Sequence, residues 1–119
     1  MKYLCLVWCE EGQFEALSQE ERDQIDRDSL SYDQQLAGSG HMIAAEALQA
    51  PANSVVVRVR HSEVSVTDGP FAEAKEHIGG FILIEARDLN DAIRVAAGIP
   101  LAKLGSIEVR PIYDFGGQA

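Results

Sequence analysis

Apolar and polar positions follow two different periods along this chain, and the switches between them mark its elements. Residues 2 to 9, KYLCLVWC, are aromatic and branched apolar residues with few polar interruptions. Such a run predicts a central strand covered on both faces, and Glu10, Glu11 and Gly12 end it. A helix then starts at Ser18, where SQEE places Glu21 three residues after a serine N-cap, the capping-box spacing. Ile25, Leu30, Tyr32, Leu36 and Ala37 form an imperfect helical stripe. Gly38, Ser39 and Gly40 stop the helix, since glycine tolerates the left-handed geometry of a helix end. His41 to Leu48, boxed between Gly40 and Pro51, reads as a second strand despite its alanines.

The period-two signal is cleanest in the middle of the chain. Val55, Val57 and Val59 alternate with Val56, Arg58 and Arg60, and residues 63 to 67, EVSVT, return with the same period. This predicts a hairpin turning around Arg60, His61, Ser62 and Glu63, although the usual glycine is missing. Residues 80 to 86, GFILIEA, read as another apolar strand. A second helix follows, with Asp88 as N-cap, Asp91 as a weaker capping-box acid, and Ala92, Val95 and Ala96 as its packing stripe. Gly98 and Pro100 end that helix, Ile107 to Ile112 form the last strand, and residues 114 to 119 read as a frayed tail.

With the hairpin set aside, the order is βαββαβ, the split-βαβ arrangement of ferredoxin-like α+β folds. Two helices cover one face of an antiparallel sheet and leave the other without a layer. An uncovered apolar sheet face predicts a homodimer. The 119 residues fit one domain spanning the whole chain.

Composition narrows the function classes. Hydrophobic content of 46% and charged content of 24% are ordinary for a globular domain. The net charge is −9, and residues 1 to 40 hold nine acids against three bases. An acidic surface repels phosphate backbones, which disfavours direct nucleic-acid binding. No apolar run nears the roughly 20 residues that span a bilayer. The N-terminus alternates like a strand and has no small-residue cleavage site, so a cytoplasmic location is expected. Cys5 and Cys9 share a strand face about 13 Å apart at roughly 3.3 Å per residue, too far for a disulfide. They read as buried free thiols. No zinc-site spacing, phosphate loop or nucleophile elbow is present, and neither a metal nor another cofactor is expected.

The segment TDGPFAEAKEHIGGFILIEARDLNDAIRVAAGIP, followed by GSIEVRPI, closely resembles the DGPF-domain branch of the YCII-related proteins. The similarity extends back through MKYLCLVW, LSQEE and VVVRVRHSEVSVTDGPF, so it covers nearly the whole chain. The resemblance implies a ferredoxin-like fold paired as a dimeric α+β barrel. It also implies two readings of function. In one, a cleft at the dimer interface binds a small metabolite and transforms it by cofactor-free acid–base chemistry, or binds it only. In the other, a non-catalytic accessory or sensor module acts through a protein partner, since some similar proteins are encoded beside extracytoplasmic-function sigma factors. Relatives in the wider family have a His–Asp pair at a cleft. Matching the glycine after the first helix puts that histidine near Ser29 and that aspartate near Gly38, neither of which can transfer a proton as a dyad does.

The candidate site residues are Asp68, Phe71, Lys75, Glu108 and Arg110. Asp68 precedes Gly69-Pro70 and either closes an Asx-turn or holds a carboxylate at a pocket mouth. Phe71 is an anchor into core or interface, or a stacking platform. Glu73, Lys75, Glu76 and His77 have the spacing of one helical turn, with Lys75 either solvated or a clamp for an anion. With Asp68, Lys75 is a candidate catalytic group. Glu108 and Arg110 are two apart on a strand and share a face, opposite the apolar Ile107 and Val109. Arg110 either pairs with an acid, Glu85 being one candidate, or grips a ligand carboxylate. Tyr3 and Trp8 read as packing residues, His41 as an exposed strand start, and His61 as a solvated turn residue.

Overall fold

The computed structural model describes residues 1–69 and 75–116. Six strands and two helices follow in the predicted order: β1 (Lys2–Glu10), α1 (Gln19–Gly38), β2 (Met42–Ala47), β3 (Val55–Arg60), β4 (Glu63–Asp68), β5 (Glu76–Glu85), α2 (Leu89–Ala97) and β6 (Ser106–Pro111). Among the described residues four strands form an antiparallel sheet in the order β2-β5-β1-β6, and β3 pairs with β4 in a separate sheet. With the hairpin set aside, this α+β arrangement is compatible with a ferredoxin-like fold.

The first helix begins as its sequence dictates. The Ser18 hydroxyl accepts the Glu21 N–H at 3.1 Å, and the Glu21 carboxylate accepts the Ser18 N–H at 2.9 Å. At the other end the Ser39 N–H donates to the Gln35 carbonyl, and Gly40 at φ +81° turns the chain into β2.

Period two divides β1 between two faces. Tyr3, Cys5, Val7 and Cys9 are buried with Ile82 and Ile84 of β5 and with Leu36, Ala92, Val95 and Ala96 of the helices. Ile107 and Val109 pack against this core. Burying a valine, leucine or isoleucine side chain contributes roughly 1.5–3 kcal/mol relative to leaving it exposed, so this layer is where the fold is held. Tyr32 ties the helices together, its hydroxyl donating to the Val95 carbonyl at 2.6 Å. A side chain at Gly98 would strike the Tyr32 ring.

The opposite face carries Leu4, Leu6 and Trp8 of β1, Phe81 and Leu83 of β5, and Glu108 and Arg110 of β6. Neither helix among the described residues covers it, and the molecule is 18 Å along its shortest axis, about the depth of one sheet and one helical layer. The covering on both faces expected for β1 is therefore only half met within one chain.

Strand β5 starts earlier than its apolar run. Glu76 and His77 pair with Glu10 and Cys9, which rules out a helical turn through these two residues. Polarity hid the strand end, because the tail of β1 supplies its pairing partners. The Gly79-Gly80 pair is a β-bulge: Val7 faces Gly80 and Trp8 faces Ile78, leaving Gly79 without an opposite. A Cβ on Gly80 would press against the Glu46 carbonyl at 2.9 Å. The hairpin turn has two residues, His61 and Ser62, both at positive φ (51° and 64°), as a type I′ turn requires even without glycine.

The hairpin presents an unusual surface. Val57 faces Val66 and Val59 faces Val64, so these four and Val55 share one side. All five are more than half exposed.

Candidate functional site

Two clusters of polar side chains stand out, on opposite sides of the sheet. The first lies on the uncovered face. Leu6 faces Glu108 across the β1–β6 ladder and Leu4 faces Arg110, so alternation sends both charged side chains to the apolar side without a layer. The Trp8 indole donates to Glu108 Oε1 at 2.9 Å, and Arg110 Nε donates to Glu108 Oε2 at 2.7 Å, with a second contact from the same guanidinium. Hydrogen bonds from Arg110, then from Trp8, hold the Glu108 carboxyl below the usual carboxylate range. Arg110 is 61% exposed and carries five N–H donors, of which these contacts use two.

Glu108 is therefore the partner of Arg110. Glu85 instead pairs with the amino group of Met1. Asp68 is the last residue of β4 in the separate hairpin, opposite Val55. Lys75 is exposed, and its carbonyl accepts the Glu11 N–H at 3.0 Å, which sets it level with Glu11. Arg110 is level with Leu4, about 23 Å away along β1 at roughly 3.3 Å per residue. Within one chain the fold brings Trp8, Glu108 and Arg110 together, sets Lys75 far from Arg110 along β1, and puts Asp68 in the separate hairpin. Phe71 lies outside the described residues.

The second cluster was not legible in the sequence. His41 is not the exposed residue expected of a strand start, because its ring bridges two elements. Its Nε2 lies 3.1 Å from Asp91 Oδ2 and its Nδ1 lies 2.7 Å from the Ser39 hydroxyl. Asp91, only 3% exposed, is the buried charged residue among those described. It sits at the third position of α2, and Asp88 caps its N–H at 2.9 Å. Its own carboxylate reaches past the N-cap to accept the Arg87 N–H at 3.0 Å and is paired with Arg94. The Arg87 backbone hydrogen bond, with Arg94 and His41 adding to it, holds the Asp91 carboxyl far below the ordinary range. Ser39, His41, Arg87, Asp91 and Arg94 line a pocket of about 380 Å³. His41 and Asp91 are 50 residues apart, so no local spacing announces them.

Among the described residues no group of three His, Cys, Asp or Glu side chains is arranged to hold a metal ion, and no helix is long and apolar enough to cross a membrane. Cys5 and Cys9 are free and buried, and burial pushes the Cys5 thiol up to about 11.

Comparison with known proteins places the chain in a family. The chain is 32% identical over 114 residues to an uncharacterized protein of Rhizobium meliloti (strain 1021), covering 94% of this chain and 92% of that one. The YCII-related domain matches residues 1–116. On both grounds, the chain belongs to the YCII-related domain family.

Proposed function

We propose that the uncovered sheet face is the floor of a small-molecule site, closed by a second copy of the chain, and that it takes an aromatic carboxylate. The observation that carries this reading is the hydrogen-bonded row of Trp8, Glu108 and Arg110 on an otherwise apolar surface. Glu108 fixes the plane of the guanidinium, so the remaining N–H donors are oriented before a ligand arrives. That is the pre-organisation a bidentate grip on a carboxylate needs. Leu4, Leu83 and Phe81 supply the apolar surface on which a ring would lie.

The site is better suited to binding than to turnover. A carboxylate whose affinity for protons has been lowered is a weak general base and stays ionised at neutral pH, so it is no acid either. A thermal-shift screen of aromatic carboxylates, with benzoate as the parent probe, tests the reading. Any hit should lose its stabilising effect in Arg110→Ala. Hits that stabilise the variant as well as the wild type would place the site elsewhere.

A further inference from the structure

We infer that Ser39, His41 and Asp91 form a nucleophile relay that hydrolyses small, negatively charged acyl esters in the pocket between the end of α1 and the start of α2. This site is independent of the sheet face and of the reading given for it.

The argument starts from the buried carboxylate. Ionised Asp91 has only acceptors to offer, so the imidazole nitrogen facing it must carry a proton. That nitrogen is Nε2, at 3.1 Å. In the neutral ring Nδ1 then holds a lone pair, and what faces it is the Ser39 hydroxyl at 2.7 Å. A buried acid that fixes the tautomer, a base, and a hydroxyl within hydrogen-bond reach of that base is the logic of a serine nucleophile. The competing acceptor for the Ser39 proton is the Leu36 carbonyl at 3.1 Å, which also receives the His41 N–H at 3.0 Å, so Nδ1 at 2.7 Å is the nearer of the two acceptors and the one not shared with a backbone donor.

Charge selects the substrate. The backbone N–H groups of Ser39, Gly40 and His41 are committed to carbonyls of the helix end, so they cannot hold a developing oxyanion. Arg87 and Arg94 line the same pocket with side chains 77% and 67% exposed. Their spare donors suit both an oxyanion and a carboxylate on the acyl chain. In the first step Ser39 Oγ bonds to the acyl carbon as its proton passes to Nδ1. The acyl C–O bond then breaks and the departing alcohol takes that proton. Water attacks the acyl-serine, giving one proton to Nδ1 and returning it to Ser39 as the acid leaves. The sum is ester plus water to acid plus alcohol.

The test uses the full chain with 4-nitrophenyl hemisuccinate, following 4-nitrophenolate release and locating the acyl group by peptide mass spectrometry. The expected result is succinyl-Ser39 in the wild type, and a rate at least about 100-fold lower in both Ser39→Ala and His41→Gln, the low end for loss of a positioned base. His61→Ala should leave the rate unchanged, and the neutral 4-nitrophenyl acetate should turn over more slowly than the anionic ester. Because Ser39→Ala removes one exposed atom, its circular dichroism should match the wild type. A rate in Ser39→Ala equal to the wild type, or an acyl group found on lysine or another histidine, would overturn the inference.

Discussion

The Trp8 indole N–H and the Glu108 carboxylate meet at 2.9 Å across two neighbouring strands. Trp8 is the single tryptophan of the chain, so tryptophan emission reports on the surroundings of this contact. The Glu108 pKa is lowered by Arg110 and Trp8 in the folded state. Its stabilising contribution is therefore present above the unfolded value of about 4.3 and is lost as pH falls through the lower folded value. Titrating Trp8 emission into acid should show a transition with its midpoint below about 4.3, preceding any change in far-ultraviolet circular dichroism. In Glu108→Gln that transition should be missing.

Helix–helix contact turns on Tyr32. Replacing it with phenylalanine removes the hydrogen bond to the Val95 carbonyl and keeps the ring, which should cost about 1 kcal/mol in urea unfolding. Gly98→Val should cost more, roughly 1–3 kcal/mol, because the new side chain meets the Tyr32 ring. A Gly98→Val protein as stable as the wild type would show that this close approach does not constrain the fold.

The thiols offer a simple check on the core. Cys5 and Cys9 are buried, and both are pushed above the ordinary thiol range by burial. With Cys5 at about 11, only on the order of one part in a thousand is thiolate at pH 8. Native protein should react negligibly with a disulfide reagent within minutes, whereas protein in denaturing urea should react at both cysteines. Rapid labelling of Cys5 in native conditions would contradict its place in the core.

Self-association follows from the proposed covering of the open sheet face. Sedimentation equilibrium should give about twice the 13.0 kDa of one chain. Leu83→Glu, which puts a carboxylate on that face opposite Leu4, should shift the equilibrium to monomer without unfolding the protein. If Leu83→Glu stayed dimeric while a charge on the five-valine side of the hairpin, such as Val66→Glu, gave monomer, the hairpin and not the sheet would be the interface.

Much of this fold could be read before any coordinates. SQEE announced the start of α1, alternation put Ile107 and Val109 beneath the helices with Glu108 and Arg110 opposite, and the valine pattern fixed the hairpin register. What escaped reading was set by contacts distant in sequence. The polar start of β5 is a strand because β1 pairs with it, not because Glu76 and His77 favour one. The His41–Asp91 pair joins the end of one helical connection to the start of the other, and nothing near either residue marks it. Asp91 reads from its neighbours as a cap of modest interest because its partner His41 lies 50 residues away.

The central claim is that Arg110, held by Glu108 beside Trp8, grips an aromatic carboxylate, and a benzoate titration followed through Trp8 emission tests it most directly. The account predicts a saturable change in the wild type and an affinity weaker by roughly 10- to 100-fold in Arg110→Ala, the loss expected for a hydrogen bond to a charged group. Emission that does not respond in the wild type, or that responds with the same affinity in Arg110→Ala, would contradict it.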